Sequence, residues 1–239
     1  MDTRFWGPPA WILLHTLAYE YNPNLKSEYS LFFTNLKYVL PCIYCRASFI
    51  EYIEHLPIDN FLDNRDNLFY WLYQIHNMVN NKLREQGLLT WEDPSFDEVK
   101  KRYSDSSKEF NQCKIRDKSV MGWNFLYCIA FIYPEDGLNT VQTSHYHGYL
   151  IFFNLLSKIL PIHYRNLYNE YLEKNPIIYA LECRDKLKQW MYNLERFINS
   201  HFKLQCSDFM EIEDLIESYR AGCGGKTKDT KPTCRKISK

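Results

Sequence analysis

Glycine is scarce in this chain, 8 residues in 239, and that scarcity, set beside long apolar periodicities, argues for helices joined by short connections. Net charge is absent as well: 29 Lys and Arg stand against 29 Asp and Glu. No global electrostatic pull toward nucleic acid or acidic partners follows, and no nucleic-acid partner is expected. No uninterrupted apolar run reaches spanning length, so no membrane helix is expected. The opening residues Met1-Asp2-Thr3-Arg4-Phe5-Trp6 lack the apolar stretch of a signal peptide, which makes a soluble, cytoplasmic protein the expectation. A second C-x-x-C is missing, as is any C…H pair at finger spacing, so no metal site is expected. What the chain has in quantity is aromatic surface, 17% of residues with 19 Tyr and 15 Phe. Its 8 cysteines are too few for a small disulfide scaffold and more than a typical cytosolic enzyme uses.

The most informative stretch is Leu40-Pro41-Cys42-Ile43-Tyr44-Cys45-Arg46. Two cysteines at this spacing close a disulfide or share a soft metal, and spacing alone does not decide between them. Leu31, Phe32, Phe33, Leu36 and Leu40 give a helical apolar pattern upstream, and Phe49, Ile50, Ile53 and Leu56 give another downstream. Pro41 breaks the first helix and is expected in the first turn of the second. Both sulfurs then lie at a helix N-terminus, where unpaired N–H groups and the macrodipole favour a thiolate, with Arg46 adding positive charge. Four readings remain open at this point: a redox-active pair on a helical scaffold, a structural zinc site, a thioredoxin-type motif, and two ordinary core cysteines. The thioredoxin type needs a βαβ frame that helical flanks do not supply. A non-enzymatic helical scaffold or zinc adaptor with an incidental C-x-x-C is the competing function.

Four further elements surround that pair. Trp6 to Trp11, with Gly7, Pro8 and Pro9, is expected to be a turn leading into a helix that ends near Pro23, with Trp11, His15 and Ala18 on one face and Tyr19 beside them. A second helix is expected from Asn24 to Leu40, a third from Cys42 to Leu56, and a fourth from Arg65 to Gln86, stopped by Gly87. Asn77, Asn80 and Asn81 sit inside the fourth, where asparagine is costly unless its amide bonds something. A fifth, short helix is expected from Phe96 to Tyr103, with Ser95 as its N-cap.

W-G-x-x-x-W-x-x-L-H (Trp6, Gly7, Trp11, Leu14, His15), then P-C-x-x-C (Pro41, Cys42, Cys45), then H-N-x-V-N-x-K-L (His76, Asn77, Val79, Asn80, Lys82, Leu83) resembles the Erv/ALR family of FAD-linked sulfhydryl oxidases over roughly residues 4 to 103. The resemblance implies an all-α fold for residues 1–110: a four-helix bundle plus a short fifth helix, holding FAD. It implies FAD contacts from Gly7, Trp11, His15, Tyr19, Phe49, His76, Asn77, Val79, Asn80, Lys82 and Leu83. It also implies that Cys42 takes the incoming thiolate and that Cys45 stands against the flavin, with electrons passing to O₂ to give H₂O₂. Protein thiols or a thioredoxin-like relay protein are the implied partners, and a homodimer the implied assembly. The chain resembles members from large DNA viruses, which act in the host cytosol on virion proteins. Two departures stand out: residues 46 to 112 contain no cysteine to staple the fifth helix, and Arg84-Glu85-Gln86-Gly87 replaces the family's usual turn.

Residues 117–221 read as a worn copy of the first half. Trp123, Leu126 and Ala130 fall on Trp11, Leu14 and Ala18; Phe152-Phe153 and Leu160-Pro161 fall on Phe32-Phe33 and Leu40-Pro41; Trp190 falls on Trp71. The chemistry is gone: Ile162 and Arg165 replace the cysteine pair, Tyr127 replaces His15, and Glu195-Arg196 replaces His76-Asn77. This second helical domain is expected to be a degenerate Erv-like bundle, similar to the second half of quiescin-type oxidases. Residues 222–239 form a Gly- and Lys-rich tail whose Cys223 and Cys234 are candidates for a shuttle disulfide of the family type. Cys113, Cys128, Cys183 and Cys206 are expected to be buried free thiols.

Overall fold

The computed structural model describes residues 1–111, 120–135, 143–206 and 208–220. Among them there is no strand; eleven α-helices and two 3₁₀ turns account for the regular structure. The 222–239 tail, Cys113, Cys223 and Cys234 lie outside the described residues.

Helix α1 (Thr3–Tyr19) begins earlier than its prolines suggest. The Asp2 carboxylate accepts the Arg4 N–H at 2.8 Å as an N-cap, and Phe5 stacks on Tyr219 with ring centroids 4.3 Å apart. The expected turn at Trp6–Trp11 is therefore helical, with Pro8 and Pro9 inside α1. Proline there forfeits backbone bonds, and anchoring of the first turn on the far end of the chain offsets the loss. After the 3₁₀ turn Pro23–Leu25 come α2 (Lys26–Val39) and α3 (Ile43–His55), then the 3₁₀ turn Ile58–Phe61 and α4 (Arg65–Glu85). Asn64 caps α4 through a 2.9 Å bond from the Asn67 N–H, and at the other end Leu88 N–H reaches back to Leu83 O at 2.9 Å. Helix α5 (Phe96–Asn111) runs two turns past the expected end at Tyr103. Ser95 and Glu98 form a reciprocal capping box at its start, Glu98 Oε2 accepting the Ser95 N–H at 2.8 Å and Ser95 Oγ accepting the Glu98 N–H at 3.3 Å.

The second half repeats this order: α6 (Trp123–Phe131), α7 (Thr143–Ile159), α8 (Ile162–Lys174), the short α9 (Ile177–Ala180), α10 (Arg184–His201) and α11 (Phe209–Arg220). Helix α10 packs on α6 as α4 packs on α1, and α8 packs on α7 as α3 packs on α2. Individual bonds recur. The Trp71 indole donates to Leu56 O at 2.9 Å and the Trp190 indole to Asn175 O at 2.8 Å. The Tyr21 hydroxyl donates to Leu62 O and the Tyr133 hydroxyl to Leu181 O, each at 2.7 Å. Where the first half pairs His15 with His76, the second pairs Tyr127 with Glu195, hydroxyl to carboxylate at 2.6 Å.

The halves join through α2 against α7 and α1 against α6. Phe32 and Phe152, at matching positions, stack on each other at 5.2 Å across that junction. Glycine permits two of the closest approaches: a Cβ on Gly148 would stand 2.5 Å from the Tyr38 Cβ, and one on Gly122 would stand 2.7 Å from Pro9 O. Gly122 also takes the left-handed conformation, φ 60, at the start of α6. Cys128 is buried, Cys183 and Cys206 are half-buried, and all three are free thiols; burial pushes the Cys128 thiol far above its ordinary pKa. No helix among the described residues is long and apolar enough to cross a membrane.

Candidate functional site

Cys42 caps α3 itself. Its backbone is extended (φ −149, ψ 122) and its sulfur accepts the Cys45 N–H at 3.3 Å. Pro41 thus precedes the cap instead of lying in the first turn, because a thiol sulfur can take the capping role that a proline side chain cannot. Both sulfurs remain in the N-terminal turn, where oriented N–H groups favour negative charge. Cys42 is 8% exposed and Cys45 half-buried, while Ile43 between them is 69% exposed. Arg46 closes the turn: its N–H donates to Cys42 O at 3.0 Å and its Nε to Leu40 O at 2.7 Å.

Cys45, Ser48, Phe49 and Tyr52 share one face of α3 by their i, i+3, i+4, i+7 spacing. That face meets the C-terminal half of α4. Lys82 Nζ donates to Ser48 Oγ at 2.5 Å, the Tyr52 hydroxyl to Met78 O at 3.4 Å, and Phe49 is buried.

A second cluster forms where α1 runs antiparallel to α4. Trp11 stacks on His76 at 3.9 Å with an interplanar angle of 12°, and the rings of His15 and His76 share a 3.2 Å hydrogen bond. Tyr103 of α5 stacks on His15 at 5.2 Å. Farther along, Tyr19 packs edge-on against Phe69 at 5.6 Å and lies under the Arg65 guanidinium at 4.9 Å. Burial, reinforced by His76, holds the His15 pKa well below its ordinary value. Burial takes His76 down to about 4, against an opposing pull from Asp93. Both rings are neutral at pH 7. His15 Nδ1 is buried with no protein partner.

At the end of α4, Asp93 gathers the polar side chains: Asn80 Nδ2 donates to it at 2.6 Å and Arg84 Nη2 at 2.5 Å, while Arg84 also bonds Asn81 Oδ1. Two of the three costly asparagines are accounted for in this way. Arg84, then Asn80, holds the Asp93 carboxyl below the usual carboxylate range.

Trp11, His15, His76 and, through Phe69, Tyr19 therefore come together on the α1 side of α4, and Cys45, Phe49 and Lys82 on the α3 side. His76 and Met78, two positions apart, point about 200° from each other. Val79, Leu83 and Asn77 are half-buried along the same stretch, and Gly7 is half-buried with nothing within 4 Å of the place its Cβ would occupy. Sequence reasoning missed Tyr103, Asp93 and Ser48. The spacing of Phe96, Val99 and Tyr103 carried a signal for the first, while the other two gain their roles only from partners distant in sequence. Among the described residues no group of three or more His, Cys, Asp or Glu is placed to hold a metal.

The Erv1/Alr family model matches residues 8–104. An FAD-linked sulfhydryl oxidase of African swine fever virus is 32% identical over 90 residues, which are 36% of this chain and 73% of that protein. The chain belongs to the Erv1/Alr family. A probable FAD-linked sulfhydryl oxidase of Acanthamoeba polyphaga mimivirus is 38% identical over 85 residues, covering 34% of this chain and 59% of the relative. The mitochondrial FAD-linked sulfhydryl oxidase of Saccharomyces cerevisiae is 33% identical over 89 residues, covering 35% and 46%. No solved structure matches. The matched segment holds Trp11, Leu14 and His15, the cysteine pair and the motif of α4, starts just after Trp6 and Gly7, and stops before the second half begins.

Proposed function

We propose that this Erv1/Alr member is an FAD-dependent thiol oxidase that forms disulfides in protein substrates through Cys42 and Cys45. The observation that carries the reading is the sulfur-capped start of α3: Cys42 receiving the Cys45 N–H on a helix face that meets the motif-bearing half of α4.

The residues present fit FAD. A dinucleotide offers two flat ring systems joined by an anionic linker. The aromatic rings of Trp11 and His76, the unpartnered buried Nδ1 of His15 and the Lys82 ammonium are the groups that would hold it. Gly7, Tyr19, Phe49, Asn77, Val79, Asn80 and Leu83 complete the proposed binding set, distributed over both sides of α4. When bound, the flavin supplies two-electron acceptance from a dithiol and reoxidation by O₂, giving H₂O₂.

The protein's own part begins when a substrate thiolate attacks Cys42 Sγ. The Cys42–Cys45 disulfide breaks, and Cys45 leaves as a thiolate facing the N–H groups of the first turn of α3. A second substrate thiol then attacks the mixed disulfide. The substrate gains one disulfide, and Cys42 and Cys45 together take up two electrons and two protons. The neutral His15–His76 pair adds no charge of its own to the aromatic cluster.

The second half is proposed as a degenerate bundle of the same kind, supported by the repeated helix order and by the paired bonds of Trp71 with Trp190 and Tyr21 with Tyr133. It covers α1 and α2 from within the chain, so a homodimer must use other surfaces. A protein thiol or a thioredoxin-like relay is the proposed partner, O₂ the acceptor, a shuttle role for Cys223 and Cys234 part of the same proposal, and the cytoplasm of a virus-infected cell the proposed setting.

Purified protein should be yellow with bound flavin, and Cys45→Ser should keep the colour while abolishing thiol-dependent oxygen consumption. Colourless protein, or unchanged turnover in that variant, removes the reading. Trapping mixed disulfides on Cys45→Ala and on Cys42→Ala tells which sulfur takes the substrate.

A further inference from the structure

Beyond Gly87 the chain turns back along the helix it has just left. The Leu88 N–H donates to Leu83 O at 2.9 Å, Trp91 O accepts Arg84 Nη1 at 3.2 Å, and Pro94 O accepts the Tyr73 hydroxyl at 3.0 Å. Within this return segment the Asp93 side chain is only 14% exposed. It takes three bonds: Oδ1 accepts Asn80 Nδ2 at 2.6 Å and Arg84 Nη1 at 3.2 Å, and Oδ2 accepts Arg84 Nη2 at 2.5 Å. Asn80 stands one turn beyond His76 on the same stripe of α4, and His76 stacks on Trp11. A primary amide has two unlike ends, an NH₂ that donates and a carbonyl that accepts, whereas an ionised carboxylate only accepts. Asp93 therefore dictates which end of the Asn80 amide it receives. Nδ2 is held on the carboxylate, and among the described residues no donor is placed on Oδ1.

We infer that Asp93 is a positioning residue for the cofactor site: it locks the Asn80 amide so that Oδ1 accepts a hydrogen bond from an N–H or O–H group of FAD. The segment that follows the Arg84–Gly87 departure from the family's usual turn thereby serves the site by orienting one of its side chains. Asparagine at position 93 would invert the lock. Arg84 is charged and can only donate, so it claims the oxygen of the new amide. The new NH₂ then faces Asn80, which must turn over to offer Oδ1, and the Asn80 NH₂ is left to meet a donor of the cofactor. Exchanging the two residues restores the polarity, because a carboxylate at position 80 accepts on both sides. This inference rests on the reading of Asn80 as part of the FAD-binding set.

The test follows flavin release from the purified full chain at about pH 8, above the carboxyl range, as the rise in free-flavin fluorescence on dilution. Asp93→Asn should speed release by about three- to tenfold, the loss of one hydrogen bond. Asn80→Asp should also speed it, because two carboxylates then face each other. The double variant, Asn80→Asp with Asp93→Asn, should return to within about twofold of wild type. It gives up only the 3.2 Å contact from Arg84 Nη1. Tyr73→Phe removes another anchor of the return segment, the bond to Pro94 O, without touching Asn80, and it should release flavin at the wild-type rate. An Asp93→Asn protein with wild-type release overturns the inference. So does a double variant that releases flavin as fast as the single ones, or a Tyr73→Phe protein as fast as Asp93→Asn. Wild-type protein that purifies without flavin removes the FAD reading and this inference with it. Yellow wild-type protein whose flavin release ignores Asp93→Asn removes this inference alone.

Discussion

The imidazoles of His15 and His76 share a hydrogen bond in surroundings that disfavour charge on either ring. An unfolded chain protonates its histidines below about pH 6.5, whereas folded His76 stays neutral down to about 4. The unfolded state therefore binds more protons between those values, so stability is complete above about pH 6.5 and falls as pH drops through the window. His76→Gln should flatten that slope, by on the order of 1–3 kcal/mol at its lower end, as read from denaturant titrations at several pH values. An unchanged slope would mean that the rings titrate in the fold as they do in solution. Asp93 pulls the other way on His76. Asp93→Asn should consequently move the His76 titration to still lower pH, observable by NMR of the ring.

At the scale of elements, α5 is the one that must hold on without a covalent staple, since residues 46 to 112 contain no cysteine. Its described anchors are the Ser95–Glu98 capping box, the Lys100–Asp66 ion pair at 2.7 Å, and the packing of Phe96 and Tyr103 on Phe69. Ser95→Ala should cost about 1 kcal/mol and raise amide exchange in α5 more than in α1 to α4. Equal protection in both proteins would place the anchoring in the aromatic contacts alone. Helix α4 was legible from its stop at Gly87, while its Asn64 cap emerged only in the structure. The start of α1 was not, because Pro8 and Pro9 read locally as a turn, while Asp2 and the distant Tyr219 make them helical. The extra length of α5 carried no clear apolar signal.

For the whole molecule, the junction between halves is the feature with the largest consequences. Phe32 and Phe152 are fully buried and stacked across it. Phe32→Ala and Phe152→Ala should each destabilise by about 3–5 kcal/mol, and the double variant by less than the sum, since each removes the other's partner. Strict additivity in a double-mutant cycle would deny the stack. Gly148→Ala forces a Cβ against Tyr38 and should cost about 1–3 kcal/mol, read as a lower midpoint in urea. If the halves form one core, both should unfold in a single transition when followed by tryptophan fluorescence and by circular dichroism.

The sequence by itself determined the helical class, a dithiol at a helix N-terminus, the motif helices and the echo of the first half in the second. Each of these is written in residue spacing along a single helix or in recurrence along the chain, and spacing survives without coordinates. Only the tertiary structure decided that Cys42 is itself the cap, that His15 and His76 bond each other, and that Asp93 gathers Asn80 and Arg84. Those contacts join residues far apart in sequence, and their energies depend on burial and on helix ends meeting in space, which no local pattern encodes.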